Sequence, residues 1–374
     1  MVQARHVQGL LQARHPGMEC PITSAKTIGD KKLGQSLATL AAKTPGLFTK
    51  ELEVHLSGGA VDLVVHSLKD VPTTLPDDLV LAAITERESP LDCLVLAPRH
   101  AQLQAVPGPD GAPSLLHALP SGAVLGTSSV RRAALLQHLC PTACIEDVRG
   151  NLNTRMAKLD SPADGAPQYD ALVLASAGMQ RLGWDARMSQ ELPSTWFGYS
   201  VGQGALGIEI RRPSPGAQAT LLARMKRVQH PPTAARCAAE RALLKALEGG
   251  CQIALAVTSA VTAGEDGAPP VLSLSARVLS GDGSRSMAAE AEAPLALPQS
   301  HQDLPEVPTM GKVFTGLATV VGVDESYIEG AVAVGEAVAA SLLKQGVAEL
   351  MPHLGEARPA TYGSAEQAGV PGRS

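Results

Sequence analysis

Short apolar runs alternate with amphipathic stretches along most of the chain, and polar, turn-forming residues separate them. Val61-Asp-Leu-Val-Val65 reads as a buried strand that ends in the turn Lys69-Asp-Val-Pro72. Ala123-Val-Leu125 is a second strand, stopped by Gly126. Thr127-Ser-Ser129 then offers hydroxyls suited to cap the helix that carries Arg131-Arg-Ala-Ala-Leu-Leu136. Ile145–Val148 is a third strand, followed by Arg149-Gly-Asn151 and a helix with Leu152, Met156 and Leu159 at i, i+4 and i+7. Asp170–Ala175 is a fourth, followed by Ser176–Arg181. Such alternation predicts an α/β fold with mostly parallel sheets and helices on both faces.

The last third reads differently. Ala235, Ala239, Leu243 and Leu247 recur every four residues, with Leu244 beside them, on a helix that Thr233 could cap and Gly249-Gly250 would end. Ile253–Val261 and Val271–Leu279 are strands, and a helix over Ile328–Lys344 stops at Gly346. This predicts a smaller α+β domain.

Composition narrows the class. The 374 residues correspond to roughly two or three domains of typical size. With 45% hydrophobic and 18% charged residues, the chain can bury real cores and is not disordered throughout. A net charge of −5, from 31 Lys+Arg against 36 Asp+Glu, argues against a nucleic-acid face. Three Phe, four Tyr and two Trp are too few for a base-stacking platform. The longest apolar candidate, Gly330–Leu343, is broken by Glu336, so no membrane span is expected. The opening MVQARHVQGLLQARH has no signal-peptide core. Cys20, Cys93, Cys140, Cys144, Cys237 and Cys251 are dilute and lack paired metal-ligand spacing, which suits a reducing, cytoplasmic setting and no metal site. Low-complexity breaks fall at Pro98–Gly122, Ser161–Gln168, Gly264–Pro270 and Gly355–Ser374, the last expected to be a disordered tail.

Three features carry chemistry. Ser128, Ser129, Arg131, Arg132, Arg149, Arg155 and Arg181 follow predicted strand ends, where open α/β sheets bind ligands. Helix N-termini and two-pronged guanidinium groups there suit anions. Acidic residues are interspersed, and no strand is followed by a phosphate-binding glycine loop. A small ligand with several carboxylates therefore fits best. A single such Arg would be read as solvated surface; five at strand ends favour a pocket. Second, Asp70 follows a strand beside Lys69 and could stabilise a developing cation, or merely shape an Asx-turn. Third, Cys251 follows a double glycine and could be a covalent anchor, or an ordinary half-buried thiol.

Together these stretches resemble the porphobilinogen deaminase family. The motifs are VDLVVHSLKDVPT (61–73), GTSSVRRAALLQ (126–137), DVRGNLNTRMAKLD (147–160), LASAGMQRLGW (174–184), VGQGALGIEIR (201–211) and ERALLKALEGGCQ (240–252), with FTKELE (48–53). The resemblance covers roughly residues 1 to 350. It implies two lobes like those of periplasmic binding proteins around a cleft, with a smaller α+β domain at the C-terminal end. Domain 1 would take 1–98 plus 202–226, domain 2 99–201 and domain 3 227–354. The implied activity is hydroxymethylbilane synthesis, four porphobilinogen molecules condensed head to tail with release of ammonia. Cys251 would hold a dipyrromethane cofactor through a thioether. Asp70 would be the catalytic carboxylate that stabilises the cation formed as ammonia departs. Lys69, Ser128, Ser129, Arg131, Arg132 and Arg155 would bind cofactor carboxylates, and Ser67, Arg149, Arg181 and Gln203 the substrate. A monomer is expected.

The family usually opens with a strand and the motif G-T-R-x-S-x-L-A. This sequence opens at MVQARHVQGLLQARHPG, which resembles the helix after that motif. The expectation for the chain as written is a first domain short of one strand, with reduced stability and weak activity. A non-catalytic two-lobed binding protein and an impaired paralogue are the alternative readings.

Overall fold

The computed structural model describes residues 1–23, 49–214, 217–247, 253–264, 268–297, 299–300 and 304–351. Cys251, the glycine pair at 249–250 and the tail at 355–374 lie outside the described residues. The helices are α1 Val2–Arg14, α2 Lys50–Ser57, α3 Val130–Leu139, α4 Leu152–Asp160, α5 Ser176–Gln180, α6 Ala217–Lys226, α7 Pro231–Ala246 and α8 Glu325–Lys344. The strands up to residue 126 are β1 Leu63–Ser67, β2 Leu79–Ile84, β3 Asp92–Leu96, β4 Val106–Pro107, β5 Pro113–Ser114 and β6 Val124–Gly126. Then come β7 Cys144–Glu146, β8 Ala171–Ala175, β9 Gln190–Leu192, β10 Leu206–Arg211, β11 Ala254–Thr262, β12 Val271–Leu279, β13 Ser286–Pro294, β14 Met310–Phe314 and β15 Leu317–Val320.

Three main sheets result. The first runs β1-β10-β2-β15-β14, the second β7-β6-β8-β3-β9, and the third β11-β12-β13. β2 is buried along its whole length because both faces of the first sheet are covered. Leu81 and Ile84 join a core shared with α7, α8 and the third sheet. Val80, Ala82 and Ala83 join a core with Val7 and Leu11 of α1 and Leu222 and Met225 of α6. The second sheet is likewise sandwiched. Leu135 and Leu136 of α3 lie on one face with Ala254, Ala256 and Leu279 of the third sheet, and Met156 and Leu159 of α4 lie on the other.

The α/β class and the α+β C-terminal part hold, while the sheets are mixed rather than mostly parallel. β6 is parallel to β7 and β8, as the alternation through α3 and α4 requires. β3 runs antiparallel to β8 and β9, and β10 antiparallel to β1 and β2. In each sheet the antiparallel strands come from stretches with no β–α alternation to read. β3 pairs within the second sheet, so the boundary between the two sheets falls before residue 92, not at 98/99. β14 and β15, from the stretch assigned to the third domain, extend the first sheet, with β15 parallel to β2.

Local details follow side-chain chemistry. Ser129 caps α3, as its hydroxyl predicts. The cap of α7 is the His230 ring accepting from Thr233 N–H, not Thr233 itself, because Pro231 and Pro232 start the helix three residues earlier. β11 and β12 pair in continuous antiparallel register. α8 is long and apolar enough by composition to cross a bilayer. Its buried Tyr327, Ile328, Ala331 and Val338 instead share a core with α7 and β12.

Candidate active site

The carboxyl ends of β1, β6 and β8 each lead into a turn or helix that carries predicted site residues. β1 passes into a single helical turn, Leu68–Asp70. The main chain tethers that turn, since Leu68 N–H donates to Ala205 C=O at 3.0 Å and Val71 N–H to Leu68 C=O at 3.1 Å. Gly202 lies against it with φ +70, and a Cβ there would sit 3.2 Å from Lys69 N. Two residues on, Gly204 has φ +85, and a Cβ would lie 2.5 Å from the Glu88 carbonyl oxygen. Only glycine suits these two positions.

Lys69 and Asp70 side chains have no hydrogen-bond partner among the described residues. Asp70 keeps open surface, yet the dense protein around it raises its carboxyl pKa, an effect that Lys69 and His66 oppose. Burial lowers the Lys69 pKa, with Asp70 opposing. Lys69 is half-buried and Asp70 exposed, so the two form a charged pair that solvent still reaches.

Arg131 and Arg132 project from the first turn of α3 and are almost fully buried. Both grip Asp92, the first residue of β3. Arg131 Nη2 donates to Oδ2 at 2.6 Å, and Arg132 donates to Oδ1 from Nε at 3.0 Å and Nη2 at 2.7 Å. Burial pushes the Asp92 carboxyl up, but the two guanidinium groups outweigh it and hold it at about 2. Among the described residues Arg131 Nε and Nη1 have no hydrogen-bond partner, though buried. Lys69 lies within electrostatic reach of Arg131, Arg132 and Asp92, so the ends of β1 and β6 face the same space.

The other predicted residues are placed around this centre. Arg155 feels the charge of Arg132, and its Nε donates to Gly150 C=O at 2.8 Å. Arg149 pairs with Asp147 while its Nε is buried and unpartnered. Arg181 binds Glu88 at 2.6 Å and donates to Gly204 C=O at 2.9 Å. Ser128 Oγ donates to Val148 C=O at 2.7 Å. Ser67 Oγ accepts from Gln3 Nε2 at 2.6 Å. Gln203, expected to bind substrate, is 1% exposed. Its amide donates to Pro90 C=O, Leu91 C=O and Asp92 Oδ1, and its oxygen faces Arg132 at 3.4 Å. It braces the arginine cluster and presents nothing to a ligand.

Two models of one family match the sequence. "Porphobilinogen deaminase, dipyromethane cofactor binding domain" covers residues 1–219, and "Porphobilinogen deaminase, C-terminal domain" covers 234–303. The chain belongs to the porphobilinogen deaminase family. Among curated relatives, the porphobilinogen deaminase of Synechococcus elongatus is 44% identical over 300 residues, spanning 80% of this chain and 85% of the relative. That of Nostoc sp. is 46% identical over 265 residues, 71% of this chain and 75% of the relative. That of Gloeobacter violaceus is 48% identical over 258 residues, 69% and 72%.

Sequence reasoning gave no role to three charged residues, one of which, Glu240, opens a family motif. Asp92 had a legible signal, a lone carboxylate opening the apolar run Cys93-Leu-Val-Leu96. Arg87 and Glu240 had none. Arg87 forms a two-pronged pair with Glu240, at 2.6 and 3.0 Å, and Glu240 also accepts from Gly202 N–H at 2.8 Å and Ser259 Oγ at 2.7 Å. That cluster joins α7 to the Gly202–Gly204 crossing and to β11.

Proposed function

We propose that the chain acts as a hydroxymethylbilane synthase, a transferase that condenses four porphobilinogen molecules head to tail and releases ammonia at each step. The observation that carries this reading is a cluster of buried cationic groups with unused donors beside an unpartnered carboxylate. Among the described residues Arg131 Nε and Nη1 and Arg149 Nε are buried without hydrogen-bond partners, and Lys69, paired in charge with Asp70, lies within electrostatic reach of Arg131. A ligand with many carboxylates completes such a site, because buried donors left unpaired cost about 1–3 kcal/mol each. The donor set fits a dipyrromethane bearing acetate and propionate groups, tethered through Cys251 Sγ.

When bound, dipyrromethane supplies the pyrrole carbon to which the incoming unit is joined. The protein's part is to bind and to balance charge. Arg131, Arg132, Arg155 and Lys69, with Ser128 and Ser129, hold cofactor carboxylates. Arg149, Arg181 and Ser67 hold those of the substrate. The Asp70 carboxylate accepts pyrrole N–H groups and faces the positive charge that develops as ammonia leaves. In a partly dry cleft that attraction is far stronger than in water. We assign the two five-stranded sheets to two lobes and the third sheet with α7 and α8 to the cofactor-carrying domain. The same reading makes the chain a cytoplasmic monomer that works without nucleic acid, membrane or metal. A purely binding protein would need neither the tethering thiol nor Asp70.

The test is intact-mass spectrometry combined with turnover. The purified protein carries the added mass of dipyrromethane, and Cys251→Ala removes it. Asp70→Asn keeps that mass and loses about 10²–10³ in turnover, the typical loss for a charge-stabilising group. An unmodified, folded protein that binds porphobilinogen reversibly would overturn the assignment.

A further inference from the structure

Arg241, in the middle of α7, is 2% exposed and makes no ion pair with any described carboxylate. Its guanidinium points entirely at main-chain oxygens. Nη1 donates to Val71 C=O at 2.8 Å and Nη2 to Pro72 C=O at 2.6 Å. Nε and Nη2 also donate to Thr315 C=O, at 3.1 and 2.6 Å. Thr315 lies in the turn between β14 and β15 and is the one non-glycine residue with positive φ, +49, among the described residues. Burying a cation against neutral carbonyls alone is a poor way to stabilise a core, since a well-packed apolar side chain is often neutral or better.

The location of the carbonyls gives the cation a purpose. Val71 and Pro72 directly follow Asp70. The residues before Asp70 are fixed from the other side by Ala205 C=O and by the close approach of Gly202. The turn 68–72 is therefore gripped at its entry by the 202–205 crossing and at its exit by Arg241. The Asp70 carboxylate has no described partner, so its direction depends on the main chain of that turn.

We propose that Arg241 is a positioning residue for Asp70, holding the Val71 and Pro72 carbonyls so that the carboxylate faces the reacting substrate. This rests on the catalytic reading of Asp70 given above. Arg241 touches neither substrate nor cofactor, and it acts on the orientation of one group instead of on ligand affinity.

A double-mutant cycle with Arg241→Lys and Asp70→Asn tests it, in holoenzyme checked by intact mass for the cofactor. Arg241→Lys keeps the charge but cannot span three carbonyls. Expected are retained cofactor, a KM for porphobilinogen within about twofold, and a kcat lower by roughly 10–100-fold, as for a misplacement of about 1 Å. In the Asp70→Asn background the same substitution has no further effect. A purely structural role would instead lower Tm and leave kcat per folded molecule unchanged, which overturns the proposal, as does an equal loss in both backgrounds. If Arg241→Lys does not fold, Arg241→Gln, which keeps two donors, runs the same cycle; failure of both to fold also counts against it. Full turnover in Asp70→Asn alone would remove the underlying reading and the proposal with it, and that single corner identifies which of the two failed.

Discussion

Asp92→Asn isolates the charge that holds the arginine cluster. Asparagine keeps the shape but leaves Arg131 and Arg132 buried without their counter-ion. The wild-type carboxyl lies at about 2 in the folded chain against an ordinary 3.8. A difference of nearly two units, at about 1.36 kcal/mol per unit, corresponds to about 2 kcal/mol. The group is fully buried, so solvent screening does not reduce that figure. Because the folded pKa is depressed, the stabilisation is complete above the unfolded value and is lost as pH falls from about 4 toward 2. The substitution also leaves the two cations uncompensated, and breaking a buried pair costs about 3–5 kcal/mol. The expectation at pH 7 is therefore a loss of about 2–5 kcal/mol, within those two bounds. It is read as a lower urea midpoint at unchanged slope. Between pH 4 and 2 the wild-type midpoint falls toward that of the variant, so the gap narrows. A variant with the wild-type midpoint at pH 7, or a gap that does not narrow in acid, would refute the charge argument.

Other substitutions probe the rest of the architecture. Glu240→Gln leaves Arg87 buried with a neutral partner; a Tm drop that Arg87→Met added to it does not deepen would show that the pair acts as one unit. Gly126→Ala places a Cβ 2.3 Å from Leu172 Cδ2 and 2.9 Å from the Tyr169 ring, and should cost about 1–3 kcal/mol by overpacking, checked by denaturant unfolding. Asp70→Asn should raise the Tm of cofactor-free protein while lowering turnover by about 10²–10³. Its carboxyl pKa is raised on folding although it keeps solvent contact, so the ionised form at neutral pH opposes folding, by an amount that solvent screening keeps small; a lower Tm would contradict that account.

Periodicity and caps made much of the second sheet readable. The helix with Leu152, Met156 and Leu159, the Ser129 cap and β12 all lie where residue spacing puts them. β2 and β3 were illegible for a physical reason. Each is buried on both faces, so Leu79–Ile84 and Cys93–Leu96 show an apolar run with no alternation. β10 was hidden inside a glycine-rich stretch that reads as a loop, and only its pairing between β1 and β2 makes it a central strand. The arginines of the site were legible because strand ends and helix starts mark where ligands bind. Glu240 and Arg241 were not, because Arg87 lies 153 positions from the first and the Val71 and Pro72 carbonyls 170 and 169 from the second; Asp92 showed only a lone carboxylate ahead of an apolar run, with Arg131 39 positions on.

The division of donors at Arg131 links the fold to the ligand. Asp92 takes one nitrogen of that guanidinium and two of Arg132, so two cations share a single resident carboxylate. The orientation of both is then fixed before any ligand arrives, and under the proposed function a ligand carboxylate would meet Nε and Nη1 of Arg131 already in place. The cost of ordering flexible side chains is thus removed from binding. The cluster still carries one uncompensated positive charge, and burial lowers the Arg131 pKa, with Asp92 opposing, so an incoming carboxylate relieves an existing electrostatic penalty. With a second resident carboxylate the site would be neutral and would bind polyacidic ligands weakly.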